Sequence, residues 1–354
     1  MKKFIYLFLL AAMSISASAQ APVKFGDYYY TINSWDDCAT LVENPNKGGY
    51  SGDVVIPDVI TVEGVDHKVT SIGTRAFSGC NILSVTIGNN VASIRERAFA
   101  YSTVASAIIG GEYDESISST AEIYDWAFYG CPNLATVVIG DNVGKINKGA
   151  FQDCPSLSSI VIGKRVSQLG PSSIAGCEKL KDIYCYGEKS PNQQYGSHIF
   201  ADDQLGSLTL HFPEAYYDNY IFGNGKDNYP WQHFGTVETM KSTELAKCAT
   251  PVISYNEGTI SLSCATEGAE INSSIEYVEN EFNNVSEYPA PSHFRVRAVA
   301  VKNGYLPSDV AQQEFTLPGY VDVKTGEYKE GDVNKDSKVN VADHVKLTNI
   351  IMAP

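Results

Sequence analysis

The densest set of metal-type donors in the chain lies near its end, in GDVNKDSKVNVADHVKLTNI. With Asp332 as position one, Asn334 stands at three, Asp336 at five, Lys338 at seven, Asn340 at nine and Asp343 at twelve. Side-chain oxygens at one, three, five, nine and twelve, with the Lys338 backbone carbonyl at seven, follow the spacing of a loop that wraps Ca2+, a cation that takes six to eight hard oxygen ligands. Three carboxylates this close repel one another unless a cation sits among them. The apolar residues Val345, Leu347, Ile350 and Ile351 suit a short helix that packs back on the loop. The expected cofactor is therefore Ca2+, held by these six residues.

Other chemistries lack a frame. The sequence holds no HExxH, no GxSxG, no P-loop and no GxGxxG. Its six histidines, His67, His198, His211, His233, His293 and His344, are scattered, and no zinc-type spacing joins them to cysteine. The chain is read as non-enzymatic, with no catalytic residue. Its formal net charge of −15 argues against nucleic acid and anionic membranes as partners, and for a divalent cation outside the cell. Lys2 and Lys3, the apolar run FIYLFLLAAM and the small residues Ala17-Ser18-Ala19 read as an export signal over 1–19. No later stretch approaches the 18 apolar residues of a membrane span. The expected location is outside the cell or on the surface of a Gram-negative-type bacterium, with the periplasm also open.

The elements that must carry these features are repeats. SIGTRAFSGCNILSVTIGNN, EIYDWAFYGCPNLATVVIGDN, KINKGAFQDCPSLSSIVIGKR and QLGPSSIAGCEKLKDIYCYGE align, with SIRERAFAYSTVASAIIGGE as a weaker copy. Phe77, Phe99, Phe128, Phe151 and Ile174 share one position, at steps of 22, 29, 23 and 23 residues. The longest step contains an insertion around GGEYDESISS. A period of 20–29 residues marks a leucine-rich solenoid, in which no unit buries its apolar face alone. Each unit carries an apolar-x-x-apolar-x-apolar core, such as Leu134/Val137/Ile139 and Leu157/Ile160/Ile162, and the last is read as Leu205/Leu208/Leu210. Cys80, Cys131, Cys154 and Cys177 share the position three after the aromatic one, with Ser102 in register. Rungs about 5 Å apart with parallel side chains make an inward column of unbridged thiols. DYYYTI, with Tyr28, Tyr29 and Tyr30, reads as a hairpin that caps the first rung.

Between the inward positions runs an outward ladder: Ser84/Thr86, Ser106/Ile108, Thr136/Val138, Ser159/Val161, Asp182/Tyr184 and Ser207/Thr209. It suits a plain sheet surface or a docking strip for a protein or glycan. The candidate ligand contacts are Thr86, Ile108, Thr136, Val138, Val161, Tyr184 and Thr209, with Tyr184 as the one large anchor. Beyond residue 245 the repeat stops. Two-residue alternation through Val252, Ser254, Ile260, Leu262 and Cys264, and again through Phe294, Val296, Ala298 and Ala300, predicts a small β-sandwich broken by turns at NEG, TEG and KNG. Cys248 and Cys264 lie in this one module, where pairing is open.

Three resemblances accompany these readings. IGxxAFxxC followed by the strand resembles the BspA-type leucine-rich repeat of exported bacterial proteins, over roughly residues 24–240. The stretches ATPVIS, EGTISLSCATEGAEI and FRVRAVAVKNGYLPS resemble the sandwich at the C-terminal end of chitobiases, a spacer in that family. The GDVN…VNVAD frame is similar to one repeat of a type I dockerin. That resemblance implies a cohesin-like partner, although dockerins normally carry two repeats, and Ser337 stands where glycine is usual. The expected organisation is 1–19 signal peptide, 20–245 solenoid with N-terminal cap, 246–317 β-sandwich, and 318–354 linker with calcium loop and helix: a mainly β chain. The expected function is recognition or adhesion of a host or bacterial surface protein through the solenoid, with attachment through the tail. A structural component that docks through its tail, or a carbohydrate-binding accessory protein of a polysaccharide-degrading system, are the alternatives.

Overall fold

The computed structural model describes residues 21–317 apart from 34, 47–48, 112–119, 194–197, 202, 224–228, 242–245, 257–258, 279–291 and 303–304. The export signal and the calcium loop, with all six of its expected ligands, lie outside the described residues.

The chain opens with β1 (Val23–Phe25), β2 (Tyr28–Ile32), β3 (Ala39–Val42), β4 (Ser51–Ile56), β5 (Val59–Val62) and β6 (Val65–Ile72). The repeats follow as β7 (Asn81–Ile87), β8 (Ser93–Ile94), β9 (Ser106–Ile109), β10 (Ala121–Ile123), β11 (Thr136–Ile139), β12 (Val143–Ile146), β13 (Ser159–Ile162), β14 (Gln168–Leu169), β15 (Asp182–Cys185) and β16 (Asn192–Gln193). They close through β17 (Thr209–Pro213), helix α1 (Tyr217–Ile221) and β18 (Thr236–Met240). Alternate strands belong to two sheets. One runs β4-β7-β9-β11-β13-β15-β17-β18, and the other runs β1-β2-β3-β6-β8-β10-β12-β14-β16 with β5 paired on β6. Successive rungs pair in parallel, for example Val137 with Ile160 and Ile160 with Ile183. The result is a mainly β solenoid of about seven turns.

The space between the sheets is filled by the aromatic column. Phe77, Phe99, Phe128 and Phe151 stack with centroids 4.8, 4.7 and 5.3 Å apart and nearly parallel rings. This spacing matches the separation of hydrogen-bonded strands, so the backbone ladder and the ring stack set the same repeat. The β1–β2 hairpin closes the first rung, where Tyr28 and Tyr50 lie against Phe77 at 6.1 and 4.8 Å. At the other end Phe212, Tyr220, Trp231 and Phe234 continue ring to ring.

Each rung turns with two left-handed residues. One falls at Arg75, Arg97, Trp126, Gly149 and Ser172, and the other at Gly79, Tyr101, Gly130, Asp153 and Gly176. Non-glycine residues held there cost about 1–2 kcal/mol each. They persist because backbone bonds to the next rung over-determine the turn, such as Arg97 N–H to Asp125 O and Trp126 N–H to Lys148 O. Gly163 follows from packing rather than from φ: a Cβ there would lie 2.5 Å from the Gly140 carbonyl oxygen.

All eight cysteines are free thiols, so Cys248 and Cys264 are not paired. In the inward column the Sγ of Cys131, Cys154 and Cys177 each donates to the carbonyl of the preceding rung's phenylalanine, Phe99, Phe128 and Phe151, at 3.2 Å. Burial pushes the Cys177 thiol from near 9 up to about 12. The unfolded thiol ionises first, so above pH 9 the fold binds the extra proton. Stability from this group is complete below pH 9 and is lost as the pH rises from there toward the folded value. In native labelling with a water-soluble thiol reagent at pH 8, Cys38 and Cys264, the two that are not buried, are expected to react within minutes. The column is expected to react only after denaturation, as mass spectrometry of the labelled peptides would show.

A second set of strands begins at β19 (Ala246–Lys247) and continues as β20 (Val252–Asn256), β21 (Thr259–Ser263), β22 (Glu270–Val278), β23 (Ser292–Val301), β24 (Tyr305–Leu306) and β25 (Ala311–Leu317). The β20–β21 ribbon packs on the three-stranded sheet β22-β23-β25 through Ile253, Ile260, Leu262, Val296 and Phe315. Ile253 rather than Val252 faces this layer, and Val252 is exposed.

Candidate recognition surfaces

The outward ladder of the β7-to-β17 sheet differs from its sequence expectation in two ways. First, its middle is covered. Val138 and Val161 are 8% and 6% exposed, and pack with Tyr184, Tyr186, Met240 and Leu306. Thr136, Ser106 and Ser159 are buried as well. The cover includes the chain's own second module: Val299 of β23 is fully buried against Leu83 and Ala105. Thr86 remains exposed, while Ile108, Tyr184 and Thr209 are half-buried. Thr136, Val138 and Val161 are therefore not available as an open docking strip. Second, the last rung is out of register by two residues. Thr209 pairs with Asp182, and His211 pairs with Tyr184. The 3₁₀ turn Leu205–Ser207 takes up residues that the repeat assigns to the strand, so Leu210 rather than Leu208 pairs with Ile183, while Leu205, Leu208, Leu210 and Phe212 are all buried in the core.

The junction between module and ladder contains a largely buried ion pair. Arg297 Nε lies 3.1 Å from Asp53 Oδ2, with side chains 13% and 15% exposed. Ser84 Oγ donates to the other carboxylate oxygen at 2.8 Å. Asp53 sits in a bulge of β4, where the pairing with β7 shifts between Gly52 and Val54. A bulge re-aims a side chain, and here it turns a carboxylate toward the module. At the far end of the ladder His211 stacks on Tyr184 at 4.2 Å, with Nε2 2.9 Å from Asp182 Oδ1 and Nδ1 3.4 Å from Glu238 Oε2. Among the described residues no group of three or more His, Cys, Asp or Glu side chains is placed to hold a metal.

A different surface carries a group of aromatic residues. Along the turns that join the two sheets, Tyr101 is 60% exposed and meets Tyr129 edge-on at 5.3 Å. Trp126 stands in the turn of the next rung, with the Arg97 guanidinium and the Lys148 ammonium each 5.1 Å from its ring. Tyr124 is exposed alongside. A hydrogen bond to the Asp153 carboxylate raises the pKa of the Tyr129 hydroxyl and so favours its protonated form. The rings lie flat on the solenoid because the next rung carries glycine beneath each: a Cβ on Gly130 would come 2.9 Å from the Tyr101 ring, and one on Gly149 2.6 Å from Trp126. The pairing of a left-handed aromatic residue with glycine one rung later, Tyr101 with Gly130 and Trp126 with Gly149, is the sequence signal for this ridge. Reading only the strand segments passes over it.

Fold and exterior together define a leucine-rich-repeat solenoid. Residues 60–116 and 114–228 match the family described as BspA type leucine rich repeat region, in six copies. Among solved structures, a leucine-rich repeat protein from Bacteroides capillosus is 28% identical over 48% of this chain and 100% of its own, with a TM-score of 0.34. The leucine rich repeat protein of T. pallidum is 23% identical over 46% of this chain and 70% of its own, with a TM-score of 0.37. A leucine rich cell surface protein from Faecalibacterium prausnitzii is 17% identical over 55% and 71%, with a TM-score of 0.25. No protein of curated function matches the chain. Repeats of this family are typically non-enzymatic scaffolds that bind proteins. Among the described residues no helix is long and apolar enough to cross a membrane.

Proposed function

We propose that the chain is an exported, non-enzymatic recognition or adhesion protein that binds a protein ligand through the turn edge of its solenoid. The observation that carries this reading is the ridge of Tyr101, Tyr129, Trp126 and Arg97. Tyrosine, tryptophan and arginine are the residue types that supply most of the energy at protein interfaces. Here they are pre-set by the rungs, so little side-chain freedom is lost on binding. The family match, whose members are typically surface or secreted proteins, supports the placement outside the cell. In a panel of purified surface and matrix proteins and a glycan array, the full chain is expected to bind at least one protein. The double variant Tyr101→Ala/Trp126→Ala is expected to lose at least tenfold in affinity, about 1.4 kcal/mol. Binding that the double variant leaves unchanged, or binding to glycans alone, would contradict the reading.

The tail completes the proposal as a calcium-loaded attachment element, and the donor spacing of Asp332, Asn334, Asp336, Lys338, Asn340 and Asp343 supports it. A cohesin-like module is the partner that the single dockerin-like repeat would address. Titration of the full chain with Ca2+ is expected to show one site with a dissociation constant on the order of micromolar to millimolar. Asp336→Ala is expected to abolish it, and chelation is expected to raise protease cleavage beyond residue 317 without moving the melting of the solenoid. No heat of binding, and no effect of chelation on cleavage, would remove calcium from the account.

A further inference from the structure

A cavity of about 380 Å³ opens between two successive turns, the one after β13 and the one after β15, with Tyr216 as a third wall. Lys164, Arg165 and Lys189 line it together with Ser167 and Asn192. Glu188 also lies in the lining, and the Asp141 carboxylate lies 3.6 Å from the half-exposed Lys164 ammonium. Three cations thus converge in a chain whose net charge is −15. Among the lining side chains themselves, three cations stand against one carboxylate.

The pocket is built, and the closing turn of the solenoid builds it. Three side chains donate to carbonyls of the loop over 187–191: Tyr220 Oη to Gly187 at 3.1 Å, Asn219 Nδ2 to Glu188 at 2.7 Å, and Trp231 Nε1 to Pro191 at 3.0 Å. Tyr220 and Trp231 are fully buried in doing so. The Asn192 backbone then ties the loop to the neighbouring rung through Ser167 O at 2.9 Å. A loop fixed from behind presents its side chains with little ordering cost on binding.

We propose that this pocket binds an acidic saccharide, a uronic-acid unit of a glycan chain. The cations meet the carboxylate. Ser167 and Asn192 offer hydrogen-bond partners to hydroxyls, and Tyr216 offers an aromatic wall to the sugar ring. The volume lies at the low end of small-molecule pockets and takes one or two sugar units. An acidic peptide would instead call for an extended groove with open strand edges, and this pocket is walled by turns. The site is separate from the aromatic ridge and does not depend on protein recognition there.

The test is calorimetric titration of the full chain with an oligogalacturonate, with the methyl ester of the same oligosaccharide, and with a hexaglutamate peptide. The oligogalacturonate is expected to bind and to weaken with added salt, while the ester and the peptide bind at least tenfold more weakly. Arg165→Ala/Lys189→Ala is expected to lose at least tenfold, Lys189→Arg to retain binding, and Trp126→Ala to bind as the parent does. Unchanged melting curves would show that the variants fold. No binding of the oligogalacturonate, equal binding of ester or peptide, or full binding by the double variant would overturn the proposal.

Discussion

Phe128→Ala is expected to lower the stability of the solenoid by about 3–5 kcal/mol, the range for deleting a fully buried aromatic ring. Phe128 has no exposed surface, and its ring is stacked on Phe99 and Phe151. Its backbone is held on both sides, with the amide donating to Ala150 O and the carbonyl accepting from Cys154 Sγ. The neighbouring rungs are locked in parallel register through Val137, Ile160 and Ala107, so the cavity cannot close by collapse, and the upper end of the range applies. In a stacked array, stability resides in the interfaces between neighbouring repeats. Loss of a central ring therefore weakens two interfaces at once and broadens the transition. Denaturant unfolding followed by circular dichroism measures this, with Phe128→Leu expected to recover most of the loss. A change below 1 kcal/mol would place the ring outside the column.

Arg297→Ala is expected to cost about 3–5 kcal/mol in the docking of the second module, because it leaves the Asp53 carboxylate in a largely buried site without its cation. Ser84 still donates one hydrogen bond to that carboxylate, which places the effect toward the lower end. The module then comes away from Leu83 and Ala105, which uncovers apolar ladder surface. Limited proteolysis around residues 240–250 should accelerate several-fold, and a dye that binds apolar surface should fluoresce more brightly. Asp53→Ala/Arg297→Ala should be less damaged than the sum of the two single variants, since the pair leaves together. Full additivity would show that the two charges do not face one another.

The repeat was legible because every rung repeats the same physical requirement. An aromatic ring and a small thiol or hydroxyl must fit between two sheets, so Phe77, Phe128 and Phe151 recur at a spacing that nothing but stacking requires. The capping hairpin at Tyr28 to Tyr30 was legible for the same reason, since an apolar rung must be closed. The ladder was misread because alternation along one strand says which residues leave the core but not what lies over them. The missing information was on the partner. RVRAVAV, residues 295–301, carries the consecutive apolar run Ala298 to Val301, all buried. A strand apolar on both faces is covered on both faces: Val296 meets the ribbon and Val299 meets the ladder. The slip at Thr209 came from a 3₁₀ turn that a fixed period cannot anticipate. The turn-edge ridge was hidden because its residues occupy positions without an apolar rule, where only the glycine beneath each ring records it.

The claim on which these points converge is that the chain covers the middle of its own ladder and leaves the turn edge open. Single cysteines placed by Val138→Cys and Tyr101→Cys in the full chain, labelled natively at pH 8 and quantified by mass spectrometry, test it most directly. The account predicts that the cysteine at 101 reacts as fast as Cys38 and that the one at 138 stays protected until Arg297→Ala is added. Rapid labelling at 138 in the otherwise unaltered chain would contradict it.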